Sequence, residues 1–239
     1  MSPEQVEEIA RLRALNLSPK QIARKLGLRP SEVNAVVRKQ AEELAITRQA
    51  RGELAPIERC LINENAANKL LDSKKKGWFG QGDSDDEQDD GVGGLAQIFV
   101  TRLEKNQYLV VSYLVDYYCL GVKDVWGPRK FNSTKYSALV EKTYASFDQG
   151  YREITLELAQ AIIFGAVEYA QKLGLNPHSD WSKAKEHLGK PLFNWPKIEF
   201  GRKGKPLYIS GPYDNHEKIV AKLKETVGEG NFDYVIPFS

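Results

Sequence analysis

Cysteine is scarce in this chain of 239 residues: Cys60 and Cys119 are the only two. Two thiols cannot build a disulfide framework. Neither sits in a Cys-x-x-Cys pair, so a cysteine zinc site is not expected, and a reducing compartment fits such usage. Long apolar runs are missing as well. No stretch approaches the roughly 18 residues that a transmembrane helix requires. The opening residues Ser2, Pro3, Glu4 and Gln5 have neither the basic nor the apolar region of a secretory signal. A cytoplasmic protein with no membrane partner is the expectation. No pattern of residues asks for a cofactor, and no bound metal is expected.

A large excess of one charge sign is also lacking, since the formal net charge is +2. The sum conceals two opposed segments. Between Ser18 and Lys39 lie six bases (Lys20, Arg24, Lys25, Arg29, Arg38, Lys39) and one acid (Glu32), a balance of 6 − 1 = +5. Between Asp83 and Asp90 lie six acids and no base. A local basic excess is the electrostatic footprint of a surface for polyanions. With 41% hydrophobic and 28% charged residues the chain can bury a core, and its length fits one or two domains.

The first 45 residues read as three short helices. Ser2 can cap the first, with Pro3 at its first position and Gln5 at its third. Val6, Ile9 and Ala10 give it an apolar stripe, and Asn16 suits the left-handed residue that ends a helix. Ser18 caps the second in the same way, with Pro19 and Gln21 behind it. Ile22, Ala23 and Leu26 recur at helical spacing, and Gly27 breaks the run. Ser31 reads as the cap of the third, whose buried face is Val33, Val36, Val37 and Leu44.

The turn after the second helix is short, and Gly27 supplies the freedom it needs. Ala23 is small where two helices must approach. The arrangement reads as a trihelical helix-turn-helix. Burying the valines turns Ser31, Glu32, Asn34, Ala35 and Arg38 outward. In such a unit the third helix lies in the major groove with its N-terminal residues against base edges. Asn34 can bond adenine bidentately, and Arg38 can reach guanine or phosphate. The helix starts at Ser18 and Ser31 offer N–H groups to phosphates, while Lys20, Arg24, Arg29 and Lys39 add charge. Residues 3 to 44 resemble the helix-turn-helix units of site-specific recombinases, transposases and the promoter-reading region of sigma factors, the phrase LSPKQIARKLGLRPSEV being close to their pattern. The resemblance implies nucleic-acid binding and no catalysis. The plainer alternative is a trihelical bundle used for protein contact. A single helix-turn-helix binds weakly, so a homodimer is expected.

Residues 46 to 71 read as weakly helical: a continuation of the third helix, a packing arm or a dimerisation segment. Residues 72 to 94, rich in glycine and like charge, read as a flexible linker; their acids could also compete with DNA for the basic helices. Division into 1–60 (helix-turn-helix), 61–94 (helical arm and linker) and 95–239 (an α+β domain) follows. In that last part Ile98 to Leu114 reads as a hairpin turning at Asn106 and Gln107, with Gly121, Gly127 and Pro128 breaking the run. Thr155 caps the longest helix, through Ala166 to Leu173, and a short helix runs from Ser179 or Asp180 to Leu188. Strands are expected at 198–200, 207–210 and 232–238, with a helix opening at Asp214 or Asn215. The fold class is α+β, with an antiparallel sheet covered by helices. The stretches YLVVSYLVDYYCLGVKD, GAVEYAQKLGLNPHSDW and PLYISGPYDN are similar to an uncharacterised bacterial protein family; the resemblance implies a separate domain and nothing chemical.

Three weaker constellations lie there. His178, Asp180 and His187 could hold a metal or exchange protons; more simply, Asp180 caps the helix that carries His187. Asp116, Cys119, Lys123 and Asp124 could form a nuclease-like site; more simply, Asp116 is buried against a tyrosine and Cys119 is core. Ser210 to Tyr213 precede a helix and could meet an anion, without the glycines and lysine of a phosphate cradle. Taken together, the sequence points to a sequence-specific DNA-binding protein, a transcriptional regulator whose C-terminal domain senses a small ligand or meets a protein partner. A nucleic-acid-processing enzyme targeted by the helix-turn-helix, or an interaction scaffold without DNA, are the alternatives.

Overall fold

The computed structural model describes residues 1–50, 52–72, 93–191 and 196–236, without the side chains of 42 and 44–50. The segment read as a linker lies almost wholly outside the described residues, as does the side chain of Leu44. The chain divides into two compact units, Met1–Ala55 and Pro56–Ser239.

The first unit is three helices: α1 (Pro3–Ala14), α2 (Pro19–Leu26) and α3 (Pro30–Ala50). Ser2 and Ser18 each close a capping box with the glutamine three residues on. Each box satisfies two backbone donors reciprocally. Ile9, Leu12, Ile22, Ala23 and Val33 form the core, with Val36 and Val37 packed at its margin.

The second unit is built on a five-stranded sheet of order β4-β3-β2-β1-β5, antiparallel throughout. Its strands are β1 (Ile57–Asn63), β2 (Leu95–Glu104), β3 (Gln107–Asp116), β4 (Gly121–Phe131) and β5 (Tyr151–Ile154). Helix α4 (Glu64–Ala67) follows β1 and runs into a π-helical turn, Asn68–Asp72. Helix α5 (Ser133–Tyr144) covers one face of the sheet, packing Tyr136, Val140 and Tyr144 on Leu61, Phe99 and Val110. Helices α6 (Leu156–Lys172) and α7 (Trp181–Leu188) cover the other, where Ile162, Ile163, Ala166, Ala184 and Leu188 meet Cys60, Ile62, Ile98, Val100 and Tyr113. The alternation of Ile98 and Val100 against Phe99 is the period of two that feeds both layers. A smaller sheet of two parallel strands, β6 (Leu207–Ile209) and β7 (Asp233–Val235), is joined through α8 (His216–Val227). It packs Tyr208, Leu223 and Phe232 on Leu173 and Cys119.

Four expectations are corrected. Residues 57–63 are strand, not helical arm. β1 lies inside the sheet, so Cys60, Leu61 and Ile62 are all buried. Burial on both faces removes the alternation that marks a strand. The hairpin turns at Lys105 and Asn106, at φ 47° and 62°, as a two-residue hairpin loop with both central residues left-handed requires. β4 does not break at Gly127-Pro128 but passes through that cis peptide with shifts of register. Residues 198–200 form no strand; Phe200 instead stacks on Tyr169.

The C-terminal end of α7 is held by two buried polar side chains. Arg102, in β2, donates from Nε to the His187 carbonyl at 2.8 Å. Gln160, in α6, donates to the carbonyls of Leu188 and Lys190 at 2.9 and 3.1 Å. The His187 and Leu188 carbonyls, at the last turn of α7, have no partner within the helix, and the guanidinium complements the negative end of its dipole.

The α6 backbone lies close to neighbouring chain. A Cβ on Gly165 would stand 2.8 Å from the Phe200 ring, and Ala166 is wholly buried. Ala166→Leu is expected to overpack the core between α6 and the sheet and destabilise by roughly 1–3 kcal/mol. Thermal melting tests it, and an unchanged midpoint would contradict the packing of α6 on the sheet.

Candidate nucleic-acid interface

In α2, the apolar positions Ile22 and Ala23 turn inward, leaving Lys20, Arg24 and Lys25 on the exposed side. Gly27, at φ +67°, closes the helix in the left-handed conformation. Leu28 then packs on the core and Pro30 starts α3. The third helix therefore starts two residues earlier than a Ser31 cap would place it. Pro30 takes the first position, and the Glu32 carboxylate accepts from the Arg29 N–H at 2.9 Å. Glu32 is thus spent on the helix start, as the third residue of a capping arrangement is. Val33 is fully buried, and Gln40 ties α3 to α1 through the Val6 carbonyl at 3.2 Å.

What remains outward is the set the sequence singles out. Ser18, Lys20, Arg24, Arg29, Ser31, Glu32, Asn34, Ala35, Arg38 and Lys39 are all exposed. Asn34 and Arg38 are one turn apart and share a face. Among the described residues no carboxylate pairs with the side chains of Lys20, Arg24, Arg29 or Arg38, while Lys39 stands 3.9 Å from Glu43. Lys25, exposed beside α1, belongs with them but lies near enough to Glu8 to help lower its carboxyl, after the larger effect of Arg11.

No protein-family model, curated protein or solved structure matches this chain.

The three constellations of the second unit come apart. His178 accepts the Asp180 N–H on Nδ1 at 3.2 Å and stands 3.8 Å from Asp124. His187 is buried in α7, its Nε2 3.1 Å from the Val100 carbonyl, and burial with the nearby Arg102 charge lowers it to about 4. Asp180 sits at the start of α7 without a side-chain capping bond. Asp116 is buried at the end of β3 and accepts the N–H groups of Tyr118 and Cys119, both at 2.9 Å, so its partner is tyrosine backbone, not a phenol. Burial raises it to about 6 against those donors and the Lys123 charge. Burial also raises the Cys119 thiol, which lies in the core. Lys123 turns to Asp214 at 2.8 Å. Asp214 also accepts the Gly211 N–H at 2.8 Å, so the loop before α8 fills its own anion position. Among the described residues no three His, Cys, Asp or Glu side chains converge, and no helix is long and apolar enough to cross a membrane.

Sequence reasoning missed a cleft of about 820 Å³ in the second unit. Ile57, Leu70, Ile154 and Leu156 give it apolar walls, and Arg59 and Arg152 bring charge. It forms where β1 and β5 pair beneath the start of α6, a juxtaposition that depends on the unrecognised strand β1.

Proposed function

We propose that the first unit is a helix-turn-helix that binds duplex DNA through α2 and α3, and that the chain is a sequence-specific DNA-binding regulator. The observation that carries this reading is the outward face of α2 and α3: bases without acidic partners beside Asn34, on helices whose opposite side is packed. Asn34 and Arg38 suit base edges, and Lys20, Arg24 and Arg29 suit phosphates. The cleft of the second unit has the size and mixed lining of a small-molecule site, which supports the ligand-sensing role. A homodimer on paired half-sites completes the proposal.

The test begins with selection of a preferred site from random duplexes. Lys20→Ala is expected to weaken all sequences alike and to lower the slope of log Kd against log salt by about one unit. Asn34→Ala and Arg38→Ala should each cost about 1–3 kcal/mol at one base pair and relax preference there. Binding that is absent at low salt, or indifferent to salt, defeats the proposal. A selected site left unchanged by both α3 substitutions shows that α3 does not read bases.

A further inference from the structure

One end of the five-stranded sheet carries its own unpaired bases. The β2–β3 hairpin turns there at Lys105 and Asn106, both exposed. Tyr108, just past the turn, pairs across the ladder with Phe131, the last residue of β4. Arg129 and Lys130 immediately precede Phe131, and α5 starts two residues after it. The Tyr108 ring stacks on Tyr136 with centroids 4.5 Å apart, which fixes the first turn of α5, and with it Lys135, beside the hairpin tip. Lys105, Arg129 and Lys135 are exposed, and among the described residues none has a carboxylate partner. Arg129 lies 5.2 Å over the Trp126 ring, which holds the guanidinium in place without neutralising it. The fourth base, Lys130, is matched by Glu104 at 2.7 Å. The rim therefore presents three uncompensated positive charges on a rigid frame.

The polypeptide enters the second unit at this same end. Pro56 is its first residue, and the Pro56 carbonyl accepts the Leu103 N–H at 3.0 Å, one residue from Glu104 and two from Lys105. The covalent tether from the first unit is thus anchored beside the basic rim. A polyanion held by the first unit is kept at high local concentration near any basic surface close to the tether. Duplex DNA extends past a single bound module and carries phosphates at regular spacing.

We propose that Lys105, Arg129 and Lys135 form a second phosphate-contacting surface, which holds duplex flanking the segment bound by the first unit. The inference rests on the DNA-binding reading given above and adds a contact that reads no bases. Three contacts of this kind raise affinity and salt dependence without changing sequence preference.

The full chain is compared with the triple variant Lys105→Gln, Arg129→Gln, Lys135→Gln on one half-site of the selected sequence, placed in a duplex of about 10 bp, one helical turn, and in one of about 30 bp. On the longer duplex the triple variant is expected to lose about 2–3 units of salt slope, near 0.9 for each phosphate released. The short duplex should show little change, and the selected sequence should stay the same. All three side chains are exposed, so the melting temperature is expected to hold. Lys105→Glu alone, a smaller change at the hairpin tip, should weaken the longer duplex more than the shorter. An equal deficit on both duplexes, or none on either, overturns the second surface. If Lys20→Ala weakens binding to both duplexes while the triple variant matches wild type, the second surface fails and the DNA-binding reading stands. If the wild-type chain binds neither duplex at low salt, both fail together.

Discussion

Gly121→Ala is expected to destabilise the second unit by about 2–5 kcal/mol, the sum of a left-handed backbone strain of roughly 1–2 kcal/mol and an overpacking cost of roughly 1–3 kcal/mol. Gly121 opens β4 at φ +69°. A Cβ there would lie 2.7 Å from the Ala166 carbonyl oxygen and 2.8 Å from the Ala170 Cβ. Both belong to α6, and the nearer atom is backbone, so no rotamer change relieves the contact. The helix would have to lift from the sheet. Gly150 provides the control. It has the same φ of +69°, and nothing stands within 4 Å of its Cβ position. Gly150→Ala should therefore show the backbone strain alone. Denaturant midpoints at constant m compare the two variants. Equal losses would mean that α6 does not approach β4 as described. Against a typical domain stability of about 5–15 kcal/mol, the larger loss approaches unfolding.

The second large effect is a pair of opposed pH dependences. His187 is nearly inaccessible, and burial with the Arg102 charge lowers it from 6.5 to about 4. In the unfolded chain it takes up a proton below pH 6.5, while in the native state it stays neutral down to about 4. Stability from this group is therefore lost as pH falls through that window, by about 3 kcal/mol. Asp116 acts in the other direction. Burial raises it from 3.8 to about 6, so the native state keeps a proton that the unfolded chain has released. Stability from Asp116 is lost as pH rises from about 4 to about 6, again by about 3 kcal/mol. Over most of that window the two slopes oppose each other. Replacing either group should expose the other. His187→Gln is expected to make the protein less stable, relative to wild type, as pH rises from 4 to 6. Asp116→Asn should make it more stable, relative to wild type, over the same rise. Chemical denaturation at several pH values reads both differences, and parallel profiles for the two variants would refute the assignment.

How far the sequence revealed this molecule depends on where each signal resides. The starts of α1, α2 and α6 were legible because caps are local: Ser2, Ser18 and Thr155 each accept from a backbone N–H three residues on. The third helix starts two residues before the place a Ser31 cap would give it, because Pro30 as a first residue and Ser31 as a cap are both good openers and only the Glu32 bond to the Arg29 N–H decides between them. The outward set on α2 and α3 followed from helical period once the core side was known. Helix α5 was illegible for a different reason. Two of its three buried anchors are tyrosines, and their hydroxyls bond Thr101 and the carbonyls of Leu61 and Gln97. Its inward face is polar at the tips, so apolar periodicity is faint. The side-chain constellations of the second unit failed because proximity in sequence is not proximity in a sheet. Neighbours on β4 point to opposite faces, which sends Lys123 to Asp214 and Asp124 toward His178. The parallel pairing of β6 and β7 was also not seen, since two short strands joined by a helix read the same in either direction until the crossover is known.

The position of β1 changes what a cut in the backbone would do. β1 ends before Asp72 and β2 begins after Gly93, yet the two are neighbours in one ladder, from Ile57 opposite Arg102 to Ile62 opposite Ile98. Buried Asn63 adds two more ties, to the Gln97 N–H at 2.8 Å and the Leu95 carbonyl at 3.3 Å. Cleavage between Asp72 and Gly93 would not free a self-sufficient piece starting at Leu95. That piece would lack the strand between β2 and β5, and the N-terminal piece would carry the strand away from its partners. The two are complementing fragments of a single fold. They should migrate as one particle under native conditions and separate only when the sheet is denatured, much as a split protein reassembles from halves that cannot fold apart.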